Sequence, residues 1–127
     1  MPITSVTGKH IIIADDYDDS ADMLALLLED SSPHRVTVAK DGEKALRLAL
    51  AGRPDVVLLD VDMPKMSGSA VALAIRDHYG ANRPALIGFS GTDVSAISKS
   101  GIFDHVLQKP VGVEDLLRLI DAWNPAL

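Results

Sequence analysis

The sequence predicts an α/β fold, a doubly wound parallel sheet with helices on both faces. Short β-branched runs alternate five times with longer runs whose apolar residues recur at helical spacing. The first, third and fourth short runs lack polar alternation, as strands buried on both faces do. Parallel neighbours need crossover connections, and the intervening helices supply them.

His10 to Ala14 (HIIIA) reads as the first strand, an apolar run. Tyr17 to Asp30 follows with Ala21, Leu24, Leu27 and Leu28 at helical spacing. His34 to Ala39 is the second strand, Asp41 to Ala51 the second helix and Asp55 to Leu59 the third strand. Ser67 to Tyr79 makes the third helix, Ala85 to Phe89 the fourth strand, and Thr92 to Ser100 a polar, serine-rich fourth helix. His105 to Gln108 closes the strands and Val113 to Trp123 is the last helix. Gly52-Arg53-Pro54, Gly80 and Gly101 end the second, third and fourth helices.

The 127 residues suit a single domain, with a core from about 9 to 124. Hydrophobic residues make up 47% and aromatic residues 4%, so the core is expected to be aliphatic. A net charge of -6 without a cluster of Lys and Arg argues against a nucleic-acid surface. The apolar run from Met23 to Leu28 is too short to span a bilayer, and the first residues lack the pattern of a signal peptide. The absence of cysteine excludes disulfides and thiolate metal sites, and a cytoplasmic location is the default expectation.

In doubly wound sheets ligands gather at the carboxyl ends of the strands. Asp15-Asp16 follows the first strand, Asp60 with Val61-Asp62-Met63-Pro64 the third, Ser90 the fourth and Lys109-Pro110 the fifth. Three carboxylates on one rim would repel unless a proton or cation relieved them. Mg2+ is the expected remedy, because it takes one or two carboxylates and phosphate oxygens. With Lys109 and the Ser90 hydroxyl nearby, the set fits phosphoryl transfer, where positioning and charge neutralisation do most of the catalysis. Each element also has a plainer reading. Asp15-Asp16 or Ser90 can cap a helix, Asp60 can end a strand, and Met63-Pro64 and Lys109-Pro110 can shape turns. Their common placement at the same strand ends favours the shared site.

On these residues, with Gly68 downstream of Met63-Pro64, the chain resembles the receiver domains of two-component response regulators, of the CheY-like superfamily, along nearly its whole length. The resemblance implies a flavodoxin-like strand order 2-1-3-4-5 and a 4-aspartylphosphate at Asp60. It implies Mg2+ ligation by Asp16, Asp60 and the backbone carbonyl of Asp62, with Asp15 acting through water. It further implies phosphoryl contacts from Ser90 and Lys109 and a cis Lys109-Pro110 bond. The donor it implies is a histidine kinase or a histidine phosphotransfer protein, and the chain is expected to be a monomer or weak homodimer that is not an enzyme. Partner binding is expected to switch through the face of the fourth helix, fifth strand and fifth helix.

Several positions depart from the family pattern. Val106 stands where an aromatic reporter is common, Gly91 where alanine is commoner, and Val111 where phenylalanine is frequent. Val111 to Asp115 is similar to receivers attached to hybrid histidine kinases, so a receiver module of such a kinase or a phosphate sink is the alternative reading. Asp60-Val61-Asp62 also resembles the motif of haloacid-dehalogenase-like phosphatases. It lies on the third strand rather than the first, and there is no room for a cap. A pseudo-receiver that never accepts phosphate conflicts with the intact Asp15, Asp16, Asp60, Ser90 and Lys109. A flavin-binding protein would need a phosphate-cradling loop and aromatic residues that are missing. His10, His34, His78 and His105 are scattered and expected to be surface or structural. Trp123 is expected to pack against the core.

Overall fold

The computed structural model describes residues 8–31, 33–63, 65–91 and 94–123, with backbone only for 18–20 and 31. Strands β1 (His10–Ala14), β2 (Arg35–Ala39), β3 (Val56–Asp60), β4 (Ala85–Ser90) and β5 (His105–Gln108) alternate with helices. These are α1 (Asp18–Ser31), α2 (Gly42–Gly52), α3 (Gly68–Tyr79), α4 (Ser95–Lys99) and α5 (Val113–Ala122), with a 3-10 turn at Gly80–Asn82. All strand pairs are parallel, in the order β2-β1-β3-β4-β5. The chain therefore reverses direction across the sheet at β1 and β3, and the ends of those two strands form the crevice where ligands sit in such folds.

Alternate strand residues point to opposite faces, so each buried strand feeds two cores. Ile12, Val57, Leu59 and Leu86 pack with Ala45, Ala49, Val71 and Ile75 from α2 and α3. Ile11, Ile13, Leu58 and Ile87 pack with Ala21, Leu28, Leu116 and Ile120 from α1 and α5. Among the described residues, the aromatic side chains buried in the cores are Phe103 on the first face and Phe89 on the second, with Tyr79 and Trp123 packed at their margins. Phe103 lies flat enough on β4 that a Cβ at Gly88 would come within 3.1 Å of its ring.

Several boundaries move by a residue for identifiable reasons. Asp41 and Ser67 cap α2 and α3 from extended backbone, their side chains accepting from the amides of Lys44 and Ala70. Asp55 precedes β3 because its carboxylate accepts the His10 amide at 2.9 Å. Asp60 and Ser90 are the last residues of their strands rather than the first of the loops. At the end of α2 it is Arg53, not Gly52, that turns left-handed, with φ 48°, and its guanidinium lies 5.9 Å from the Tyr79 ring. Gly80 and Gly101 do take positive φ, as expected after α3 and α4.

α4 is shorter than the expected Thr92 to Ser100, and 92 and 93 lie outside the described residues. Its N-cap is Val94, which makes no side-chain cap, so Ser90 does not have the capping role. Two of the four histidines prove to be structural ties. His34 is buried, its Nδ1 accepting the Lys9 amide at 3.1 Å and its Nε2 donating to Asp121 of α5 at 2.9 Å. His10 Nε2 pairs with the Thr37 hydroxyl at 3.0 Å. Lys9 donates to the carbonyls of Ile120 and Trp123 at the end of α5, the first of which also accepts the Trp123 amide at 3.2 Å. Trp123 is half-buried and packs on the α1/α5 core as expected. No helix among the described residues is long and apolar enough to cross a membrane.

Candidate functional site

The parallel register carries the polar residues to one edge of the sheet. Ala14 lies opposite Leu59 and Ala39, Asp60 opposite Phe89, and Ser90 opposite Gln108. Asp15, Asp60, Ser90 and Lys109 therefore leave their strands at one level, and Lys109 is held there by its amide, which donates to the Ser90 carbonyl at 2.8 Å. The Lys109-Pro110 peptide is cis.

One ligand oxygen each from Asp15, Asp16 and Asp60 lies within 4.8 Å of the others. Asp15 and Asp60 are buried and Asp16 is exposed, a cup with one open side. The Lys109 ammonium lies 3.0 Å from Asp60 Oδ2 and 3.5 Å from Asp15 Oδ2. Burial pushes the Asp15 carboxyl above its ordinary value, and the neighbouring Asp60 adds to the rise, while the Tyr17 amide and Lys109 oppose it. Burial alone would lower Lys109, but Asp60 and Asp15 outweigh it and hold the ammonium above its ordinary value. One ammonium against three carboxylates leaves an uncompensated negative charge. A hard cation with oxygen ligands fits that charge and that donor set.

Close packing fixes Asp60. The amide of Asp62 donates to Asp60 Oδ1 at 2.9 Å, leaving Oδ2 towards Lys109. The first turn of α3 lies directly against the end of β3: a Cβ at Gly68 would stand 2.5 Å from the Asp60 carbonyl oxygen and 2.9 Å from Val61 Cα. Only glycine permits that approach. Met63 is buried beneath the loop, and Pro64 of the Met63-Pro64 pair lies outside the described residues.

All six residues singled out in the sequence thus meet at this edge, and the exposed Asp62 also makes a side-chain contact there. Its carboxylate accepts the hydroxyl proton of the fully buried Ser90 at 2.9 Å. Two further residues are new. The Lys109 ammonium lies 5.1 Å from the Phe89 ring and 5.4 Å from the Tyr17 ring, within cation–π range. Tyr17 stands two residues past Asp15 in the loop before α1, and no spacing rule reveals a ring that reaches across to a lysine ninety-two positions later. Beside them opens a cavity of about 460 Å³, lined by Met23, Leu24 and Leu27 of α1 and by Pro110, Val111 and Val113. Val106, expected to replace an aromatic reporter, is half-buried opposite Gly88 and packs with the α2/α3 core.

A family model described as the response regulator receiver domain matches residues 11–121. The CAI-1 autoinducer sensor kinase/phosphatase CqsS of Vibrio cholerae is 30% identical over 121 residues, which is 91% of this chain and 17% of that protein. An uncharacterized 14.6 kDa protein of Leptolyngbya boryana is 34% identical over 123 residues, 94% of this chain and 92% of that one. PrrA, a transcriptional regulatory protein of Mycobacterium tuberculosis, is 39% identical over 75 residues, 58% of this chain and 31% of that protein. This chain thus spans less than a third of CqsS and PrrA. Among solved structures, the chemotaxis response regulator CheY4 of Vibrio cholerae superposes with a TM-score of 0.80 at 26% identity, covering 91% of this chain and 98% of that one.

Proposed function

The chain belongs to the response regulator receiver domain family of two-component systems, and from that premise we propose that Asp60 accepts a phosphoryl group with the help of Mg2+. The carrying observation is the placement of Asp60 Oδ2 at 3.0 Å from Lys109, in a group of three carboxylates whose ligand oxygens lie within 4.8 Å of one another.

Asp60 Oδ2 is the nucleophile. It forms a bond to phosphorus as the bond from phosphorus to the donor's imidazole nitrogen, or to the oxygen of a small acyl phosphate, breaks with its electron pair. Asp16 and Asp60, with the backbone carbonyl of Asp62, would hold Mg2+, and Asp15 would act through water. When bound, the ion neutralises charge on the transferring group's oxygens. Lys109 leaves its contact with the carboxylate to pair with a phosphoryl oxygen, and the Ser90 hydroxyl donates to another. The resulting 4-aspartylphosphate makes the domain a stoichiometric switch rather than a turnover enzyme.

The donor is a histidine kinase or a histidine phosphotransfer protein, acting in the cytoplasm on a monomeric or weakly dimeric acceptor. Partner binding changes on the α4/β5/α5 face. Support for that face comes from α4, whose five residues include none that is fully buried and only Ile97 half-buried, so little holds it in place. The match to a sensor kinase favours a second reading, in which the domain is a module of a hybrid kinase or a phosphate sink in a relay.

Intact mass after incubation with Mg2+ and acetyl phosphate tests the assignment. Wild type gains one phosphoryl group and Asp60→Asn gains none. A variant labelled at the wild-type rate means that another residue is the acceptor.

A further inference from the structure

Ser90 carries one hydroxyl proton, and in the structure that proton is committed to Asp62: Oγ donates to Asp62 Oδ2 at 2.9 Å. The geometry points to Asp62 as a positioning residue that competes with the phosphoryl group for the Ser90 proton and so sets how strongly the switch is held off. This rests on the reading of Asp60 as phosphoacceptor.

Both ends of the contact are anchored. Ser90 is fully buried at the end of β4, and its carbonyl accepts the Lys109 amide at 2.8 Å, so its backbone is held and its hydroxyl changes partner by rotation about χ1 or the Cβ–Oγ bond. Asp62 is tethered through its amide, which donates to Asp60 Oδ1 at 2.9 Å. Its carboxylate therefore stays within reach of Ser90 and two residues from the acceptor. A phosphoryl group on Asp60 brings new anionic oxygens to the same hydroxyl. Asp62 and the phosphoryl group are both anionic acceptors, so the phosphoryl group must displace a charged competitor rather than a neutral one. The proton can serve only one of them, and the carboxylate at position 62 decides how far the contest is tilted. The same contact joins the loop after β3 to the end of β4, so its exchange removes the Asp62 side-chain tie between them and leaves the backbone bond from the Val61 amide to the Phe89 carbonyl, 3.0 Å long, as the hinge. In a domain with Val106 in place of an aromatic reporter, loss of that tie is a direct link from phosphate to the loop that carries Asp62.

Affinity for beryllofluoride in saturating Mg2+, with its fluorines standing for phosphoryl oxygens, is the test. Five proteins are compared: wild type, Asp62→Ala, Asp62→Asn, Ser90→Ala and the Asp62→Ala/Ser90→Ala double variant. Asp62→Ala should bind about tenfold more tightly than wild type, the size of one hydrogen bond to a charged group. The gain should vanish when Ser90 is already alanine, and Asp62→Asn, which keeps an acceptor without the charge, should fall between. Mg2+ affinity measured alone removes any change in ion binding from the comparison. An equal gain with and without Ser90 would show plain charge repulsion at work and overturn the proposal, as would no gain at all. Wild type that binds no beryllofluoride defeats the phosphoacceptor reading itself.

Discussion

Replacing Asp16 by asparagine separates a carboxylate kept for a cation from one kept for stability. At the 4.8 Å limit of the cluster, two unit charges repel by about 0.9 kcal/mol in a water-like dielectric and about 3.5 kcal/mol at an effective dielectric of 20. Asp16 is exposed, which places its two repulsions near the lower figure. Lys109 contacts Asp15 and Asp60, so its attraction for the more distant Asp16 offsets only part of them. A net relief of about 1 kcal/mol follows, which for a chain of this size raises Tm by about 4 °C. Thermal unfolding in EDTA should therefore show Asp16→Asn melting above wild type. Adding Mg2+ should reverse the order. An ion at a hundred times its Kd stabilises wild type by about 2.7 kcal/mol, and a variant that has lost a ligand gains less. If the variant melts at or below wild type in EDTA, or if Mg2+ raises both equally, the argument that Asp16 is a strained metal ligand is wrong.

Gly68→Ala would drive a methyl to 2.5 Å from the Asp60 carbonyl, so the end of β3 or the start of α3 must shift; a loss of about 1–3 kcal/mol in urea unfolding and slower labelling by acetyl phosphate are expected together. Wild-type stability in that variant would rule out the close approach. Asp104 accepts two bonds from Arg83 and one from the Leu86 amide, each 2.8 Å long. Burial opposes ionisation of Asp104, but those donors outweigh it and hold its carboxyl below the ordinary value. A depressed acid contributes stability above its unfolded value, about pH 3.9, and loses it as pH falls through the lower folded value. Asp104→Asn should therefore cost about 1–3 kcal/mol near neutral pH, with the gap to wild type closing in urea titrations below pH 4. Amide NMR with beryllofluoride and Mg2+ should show shifts running from Ser90 through Ser100, whereas changes confined to ligand neighbours would favour a phosphate sink.

Much of this molecule is written in local patterns. Ile11 to Ile13 and Val56 to Leu59 announce strands buried on both faces, because a solvated face would require polar alternation. The alternation of those runs with amphipathic helices sets the doubly wound class. With the class comes the rule that Asp15, Asp60, Ser90 and Lys109, each at the carboxyl end of a strand, share one edge. Helix ends were legible to within a residue or two where a capping side chain marked them, as at Asp41 and Ser67. They were least legible at α4, which has neither a side-chain cap nor a buried face to fix its length.

What only the tertiary structure decided is which atoms meet. Period and punctuation describe neighbours along the chain, whereas the Ser90 hydroxyl and the Asp62 carboxylate come from positions 28 apart, and the Lys109 ammonium joins Asp15 across 94. Those pairings depend on strand register and on side-chain rotamers chosen jointly by packing. The sequence supplied carboxylates with the chemistry for a cation. Folding buried two of them beside a single lysine, leaving a charge imbalance that no local pattern contains.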